Sequence, residues 1–100
     1  MRLGRVCGNV VSTVKADGLT RYKLLLVRDV DAADPSAEAK WSTPYVAVDL
    51  VGSGEGEVVL VTQGGAARVD TGTGGIPTDA AIVAIVDSAQ LDSRTTFIKR

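Results

Sequence analysis

The sequence predicts an all-β domain, and two features of its composition support this. Valine fills 15 of the 100 positions, and valine, isoleucine and threonine together fill 28. Branching at Cβ restricts these side chains and suits a pleated strand better than a helix. Eleven glycines and three prolines divide the chain into short runs. Such runs are typical of a sandwich or a small barrel, and 100 residues are enough for a single domain, 1–100.

Six runs of β-forming residues predict strands. They lie at residues 3–14, 22–30, 45–51, 57–63, 81–86 and 95–99. In the first run Gly4, Val6, Gly8 and Val10 share one parity, which a strand places on one face. The two glycines on that face indicate the close approach of another backbone.

The segments between the runs are turns and loops. Residues 31–43 are polar and alanine-rich, which predicts a surface loop, and 76–79 predict a turn. Gly52, Gly54 and Gly56 link the third and fourth runs, which predicts a hairpin with a wide glycine loop. Residues 64–75 hold five glycines and no strand pattern, and 66–69 have the composition of a short helical turn. We find no internal repeat and no domain boundary.

Four of the predicted strands are apolar on both faces. They include residues 24–27, 45–51, 58–61 and 82–86. A strand with one face in water should alternate, and no long amphipathic helix is available to cover the outside. The pattern therefore favours an obligate oligomer in which neighbouring subunits provide the cover. A barrel with scattered surface valines is the alternative.

The composition excludes several classes of function. There is no histidine and only one cysteine, so neither a histidine-assisted nucleophile nor a zinc site of the usual kinds is available. A net charge near −1 argues against a general nucleic-acid binder. The longest strongly apolar run, 80–86, is too short to cross a bilayer, and the first residues lack the apolar region of a signal peptide. The prediction is a cytoplasmic protein that uses no cofactor and no metal.

Several candidate sites have simpler structural interpretations. The glycines 52, 54 and 56 resemble a phosphate loop, but they stand between two strands and lack the following lysine. Asp29, Asp31 and Asp34 do not match the spacing of a calcium loop, so a solvated acidic loop is favoured. Cys7 is predicted to be an inert thiol in a strand. Trp41 suits either a cap on the barrel or an interface anchor.

Three stretches taken together resemble a known family. They are residues 3–15, residues 46–61 continuing to 64–68, and residues 76–87, with the run 23–27 in addition. This combination is similar to the EutN/CcmL family of bacterial microcompartment shell vertex proteins, over nearly the whole chain. The resemblance implies a closed barrel of five to six strands, related to the OB fold. It also implies a non-enzymatic cyclic pentamer that caps the vertices of a shell of hexameric tiles around enzymes.

The resemblance also implies roles for individual residues. The segment Gly64, Gly65, Ala66, Ala67 and Arg68 would lie at a subunit seam or near the central axis, with Arg68 bridging the seam. Pro77 and Asp79 would form a turn, in which the Asp79 carboxylate accepts backbone N–H bonds. Trp41, Asp49 and Asp87 are further candidates for the interface.

Two other functions remain open at this point. The first is an OB-like module that binds single-stranded nucleic acid or another small ligand, for which the aromatic residues are Tyr22, Trp41, Tyr45 and Phe97. The second is a small enzyme that uses carboxylates such as Asp49 and Asp87. No pair of residues in the sequence forms a persuasive general acid and base, which makes the enzyme the weakest of the three.

Overall fold

The computed structural model describes residues 1–19, 21–37, 39–64 and 78–100. These residues form seven strands: β1 Arg2–Val10, β2 Lys23–Asp29, β3 Tyr45–Asp49, β4 Val58–Gln63, β5 Ala80–Ile85, β6 Ser88–Leu91 and β7 Arg94–Ile98. The first five close a barrel in the order β1-β2-β3-β5-β4, and β4 pairs back onto β1. The predicted all-β barrel is therefore confirmed. No helix in the described part of the chain is long and apolar enough to span a membrane.

Small and branched side chains fill the inside of the barrel. Val6 of β1, Val27 of β2 and Ile82 of β5 are almost fully buried there. The other members of this core are Leu25, Ala47, Val59, Val61 and Ala80, with Tyr45 packed against them. Because strand residues alternate between faces, these positions identify which residues of each strand point inward and which point outward.

A β-bulge at Cys7 changes the face on which the second half of β1 lies. The register runs Val6 opposite Val27 and then Gly8 opposite Leu26, so Cys7 is the extra residue. The prediction that Gly4, Val6, Gly8 and Val10 share one face is therefore wrong beyond the bulge. Gly8 is opposite the outward-facing Leu26, and a Cβ at Gly8 would lie 3.3 Å from the Cδ1 atom of Leu26.

The predicted hairpin between the third and fourth strands is also wrong. β5 lies between β3 and β4 and runs parallel to β3. The connection that contains Gly52, Gly54 and Gly56 instead follows the end of the barrel to β1. There the Gly56 N–H donates to the Val6 carbonyl, 2.8 Å away, and the Val6 N–H donates to the Glu57 carbonyl, 3.0 Å away. Gly52 and Gly56 have φ of 78° and 90°, a backbone conformation that favours glycine at these two positions.

The end of β1 and the presence of β6 differ from the prediction for local reasons. β1 ends at Val10 rather than at residue 14, and beyond it the Ser12 hydroxyl donates to the Val14 carbonyl, 2.8 Å away. Such local bonds compete with a strand ladder. β6 was not predicted, because Ser-Ala-Gln-Leu has little strand character and its turn lacks glycine. Asp92 and Ser93 adopt positive φ at that turn. The predicted helical turn at 66–69 lies outside the described residues.

The β6–β7 hairpin is a separate two-stranded sheet. It is attached to the rest of the chain by residues next to its two ends. The Lys99 N–H donates to the Asp87 carbonyl, 2.7 Å away, and the Lys99 ammonium lies 2.8 Å from the Glu57 carboxylate. A hydrogen bond from Lys99 is the main reason that the pKa of Glu57 lies below its ordinary value. An isolated two-stranded hairpin is only marginally stable in water. This ion pair therefore links a weak element to the start of β4.

Gly4 tests the packing of β1 against β2. A Cβ at this position would lie 2.6 Å from the Val27 Cγ1 atom and 3.2 Å from the Arg28 carbonyl oxygen. We expect Gly4→Ala to lower the free energy of unfolding by about 1–3 kcal/mol, measured by urea denaturation. Gly54→Ala is the control, since its Cβ would make only an ordinary contact at 3.6 Å. Equal stability of the two variants would contradict this packing.

The attachment of the hairpin predicts a pH dependence. Because the pKa of Glu57 is lowered in the folded protein, its pairing with Lys99 contributes at neutral pH and is lost as the pH falls through this lowered pKa. We expect the amides of residues 88–98 to lose protection in acid, measured as deuterium exchange relative to the intrinsic rate at the same pH, and Lys99→Ala to show low protection already at pH 7. Lys15→Ala should behave like the unmodified chain. Unchanged exchange in Lys99→Ala would show that the pair does not hold the hairpin.

Candidate assembly surface

A strip of apolar side chains crosses the outside of the barrel over three adjacent strands. In one row, Leu26 of β2 lies opposite Gly8 of β1 on one side and Val46 of β3 on the other. In the neighbouring row, Leu24 of β2 lies opposite Val10 of β1. Leu24 and Leu26 are half-buried, and Val46 is 44% exposed. We refer to Gly8, Val10, Leu24, Leu26 and Val46 as the outer strip. Leu24 is inside a run of apolar residues on both faces, so this strip is what the sequence pattern predicted.

Other exposed apolar residues lie at the ends of the barrel and on the hairpin. Val11 and Val14 lie in the loop after β1, Val51 follows β3, and Ile98 ends β7. Trp41 is 69% exposed, so its indole does not cap the barrel interior. The other interpretation of Trp41, an interface anchor, stays a prediction.

Asp49 is a buried organiser of the connection after β3. It is only 6% exposed, and its Oδ1 atom accepts hydrogen bonds from the Ser53 hydroxyl at 2.9 Å and the Ser53 N–H at 3.2 Å. The Lys23 ammonium lies 3.6 Å from its other oxygen. The expectation that Asp49 belongs to an interface is therefore wrong, because its carboxylate is used inside the chain.

The remaining candidate residues occupy different places. Asp87 is exposed where β5 leads into the hairpin. Gly64 has φ of 64° and donates its N–H to the Asp79 carbonyl, 2.8 Å away. Between described residues, the side-chain bonds at that turn come from the Thr78 hydroxyl, which accepts from the Ala80 N–H and donates to the Ala80 carbonyl. Gly65, Ala66, Ala67, Arg68 and Pro77 lie outside the described residues.

The acidic residues at the end of β2 and in the loop after it have separate partners. Asp29 accepts from the Arg2 guanidinium at 2.9 Å and from the Tyr45 hydroxyl at 3.2 Å, and burial with this carboxylate raises the pKa of Tyr45. Asp31 accepts from the Ala33 N–H within its own turn. Among the described residues, no three acidic or cysteine side chains are grouped to hold a metal ion.

The aromatic residues do not form a shared stacking platform in the described structure. Tyr45 packs against the core, whereas Tyr22 lies in the loop before β2 with the Arg21 guanidinium 5.9 Å from its ring centre. Trp41 projects from another loop, and Phe97 is on the separate hairpin. A protein that binds single-stranded nucleic acid stacks successive bases on several aromatic rings along one groove.

A closed barrel with an apolar outer strip, and with its buried carboxylate used to shape a turn, is typical of a structural protein rather than of an enzyme. The comparisons with known proteins agree. The family described as "Ethanolamine utilisation protein EutN/carboxysome" matches residues 1–87. The chain belongs to this EutN/CcmL family.

Individual relatives extend this assignment over the whole chain. The carboxysome shell vertex protein CcmL of Synechocystis is 43% identical over 100 residues, covering 100% of this chain and 96% of the relative. The solved structure of an ethanolamine utilization protein, EutN, superposes with a TM-score of 0.86 at 33% identity over the full length of both chains. A pentameric microcompartment shell protein, GrpN of Rhodospirillum rubrum, superposes with a TM-score of 0.74 at 38% identity, covering 91% of this chain and 98% of GrpN.

These relatives confirm the function expected from the resemblance. They are named as shell vertex proteins of carboxysomes and other microcompartments, and the chain is a structural shell vertex protein rather than an enzyme. They support this role over the nucleic-acid-binding alternative.

The buried position of Asp49 predicts a large effect on stability. Asp49→Ala would leave the buried Ser53 hydroxyl and two N–H groups without their acceptor, so we expect a loss of about 2 kcal/mol in the free energy of unfolding. The exposed Asp87 provides a matched control, and Asp87→Ala should change stability by less than about 0.5 kcal/mol. Chemical denaturation of both variants measures the difference. Similar losses in the two would mean that Asp49 is not the organiser of this connection.

Proposed function

We propose that this chain forms a cyclic homopentamer that occupies the vertices of a bacterial microcompartment shell in the cytoplasm. The observation that supports it best is the outer strip, because a single chain leaves these apolar side chains on the outside of its barrel. GrpN, which shares the fold over almost its full length, is described as pentameric.

A five-fold ring suits both the chemistry and the geometry. In a ring, each subunit presents two different surfaces, one to each neighbour, and the contacts close on themselves. A typical specific interface buries about 800 Å² on each partner. Two such contacts would cover about a quarter of the 6001 Å² surface of this chain, which leaves most of it for other shell components.

The ring would close a shell that flat tiles cannot close alone. Hexagonal tiles make a flat layer, and pentagons at the corners allow it to curve into a closed polyhedron. We propose hexameric shell proteins of another family as the partners along the rim of the pentamer. The segment Gly64, Gly65, Ala66, Ala67 and Arg68 stays our prediction for the subunit seam or central axis.

The outer strip gives a direct test of the ring. Val46→Asp places a charge in the strip at a position exposed in the single chain, so the barrel should still fold while the neighbouring subunit is repelled. We expect native mass spectrometry at micromolar concentration to show pentamers for the unmodified chain and mainly monomers for Val46→Asp.

The control carries the same substitution outside the strip. Val14 is an exposed valine of the loop after β1, and Val14→Asp should leave the pentamer intact. Circular dichroism would verify that all three proteins are folded. A folded Val46→Asp protein that remains fully pentameric would exclude the strip as a subunit contact, and a stable monomer of the unmodified chain would reject the ring itself.

A further inference from the structure

A cavity of about 450 Å³ lies between the outside of the barrel and the loop at 31–43. Arg5 of β1 and Arg28 of β2 contribute to one wall, while Ser36 and Ala39 contribute from the loop. Pro35 and Ala39 are buried in the single chain, so the loop is packed down rather than extended into water. The vertex function described above does not use this cavity.

The two arginines stand directly opposite each other on adjacent strands. The register pairs Arg5 with Arg28, and both belong to the outward-facing rows of β1 and β2. Like charges directly opposite each other on adjacent strands are destabilising. Both side chains are half-buried, which weakens the screening of this repulsion by solvent.

Only neutral acceptors bind these guanidinium groups within the described residues. Arg5 donates to the Ser36 carbonyl at 2.5 Å, and Arg28 donates through Nε to the Ser42 carbonyl at 3.3 Å. Both acceptors belong to the 31–43 loop, so each arginine also holds the loop against the barrel. A guanidinium has five N–H donors in a fork that fits the oxygens of a carboxylate or phosphate. Most donors of this pair are therefore left for another acceptor.

The described residues of the cavity wall carry a net positive charge. Glu55 is the acidic residue among the described lining residues, and it is exposed, whereas the two arginines are half-buried. An anion placed between two guanidinium groups removes their mutual repulsion and gains charge-assisted hydrogen bonds. The loop provides the opposite wall and reduces contact with water.

We propose that Arg5 and Arg28, closed over by the 31–43 loop, form a binding site for one oxyanion group, either a phosphate or a carboxylate. This gives the 31–43 loop a function that closure of the barrel does not require. The site does not depend on the pentamer, because its lining residues come from one chain. The oxyanion is supplied either by a free small molecule or by an acidic side chain of a neighbouring shell subunit.

Binding of inorganic phosphate and of acetate tests the site. Calorimetric titration at constant ionic strength, with chloride as the reference anion, should show saturable binding to the intact protein. Trp41 is the single tryptophan and adjoins Ser42, so its fluorescence provides a second signal. We expect Arg28→Gln to weaken binding by about tenfold or more. Arg28→Lys should bind between the two, since it keeps the charge but loses the fork.

Two further variants separate this site from general charge effects. Arg21 lines a different groove, so Arg21→Gln removes an equal charge without touching the cavity. It should bind phosphate like the unmodified chain. Glu55→Gln removes the acidic group from the cavity wall and should tighten binding, which a folding defect would not do. A loss of binding in Arg21→Gln together with normal binding in Arg28→Gln would overturn the proposal.

Native mass spectra of the assembled protein with phosphate distinguish the two possible sources of the oxyanion, a free small molecule and an acidic side chain of a neighbouring subunit. If the natural ligand is a free anion, phosphate should add to the ring without dissociating it. If it is a subunit carboxylate, phosphate should compete and loosen the ring, and Arg28→Gln should loosen it as well. The site would be excluded by two results together. Phosphate would neither bind saturably nor loosen the ring, and Arg28→Gln would match the unmodified chain in phosphate binding and in ring stability.

Discussion

The main constraint on this molecule is that its barrel has one interior, while its strands carry apolar side chains on both faces. The interior is filled by residues such as Val27 and Ile82, and the core has no room for Leu24, Leu26 or Val46. The described residues form no helix that could cover these side chains. The outer strip consequently links the composition of the sequence to assembly, and assembly to the shell vertex function of the family.

The barrel closes through a short strand pairing and several local backbone features rather than through long ladders of hydrogen bonds alone. β3 and β5 pair over only two residues of each strand, and Leu50 adds one more bond to Ile82. Nearby, the buried Asp49 fixes the path of the chain away from β3. At the other side of the barrel, Gly4 permits close contact with Val27, and the bulge at Cys7 turns the rest of β1 over. The same bulge aligns Gly8 with Leu26, so a feature of the fold also shapes the outer strip.

Most of the strands could be predicted from the sequence, because branched residues bounded by glycine give a strong local signal. The pairing of β3 with β5 could not, since nothing local in residues 45–63 shows that β5 lies between β3 and β4. The role of Asp49 was missed for a similar reason: its partner Ser53 and its burial depend on the turn that follows. The Arg5–Arg28 pair depends on the register between two strands, which the sequence leaves undetermined. Assembly was predictable because apolar residues on both faces are visible without any pairing.

The most direct test of the account is the exposure of the outer strip in the assembled protein. Hydroxyl-radical footprinting measures the reactivity of individual side chains, and Val11 and Val14 serve as exposed references within the same chain. The account predicts that Leu24, Leu26 and Val46 are strongly protected in the assembly and become reactive when it is dissociated without unfolding. Equal reactivity of these three side chains in the assembled and dissociated states would contradict the claim that a neighbouring copy covers the strip.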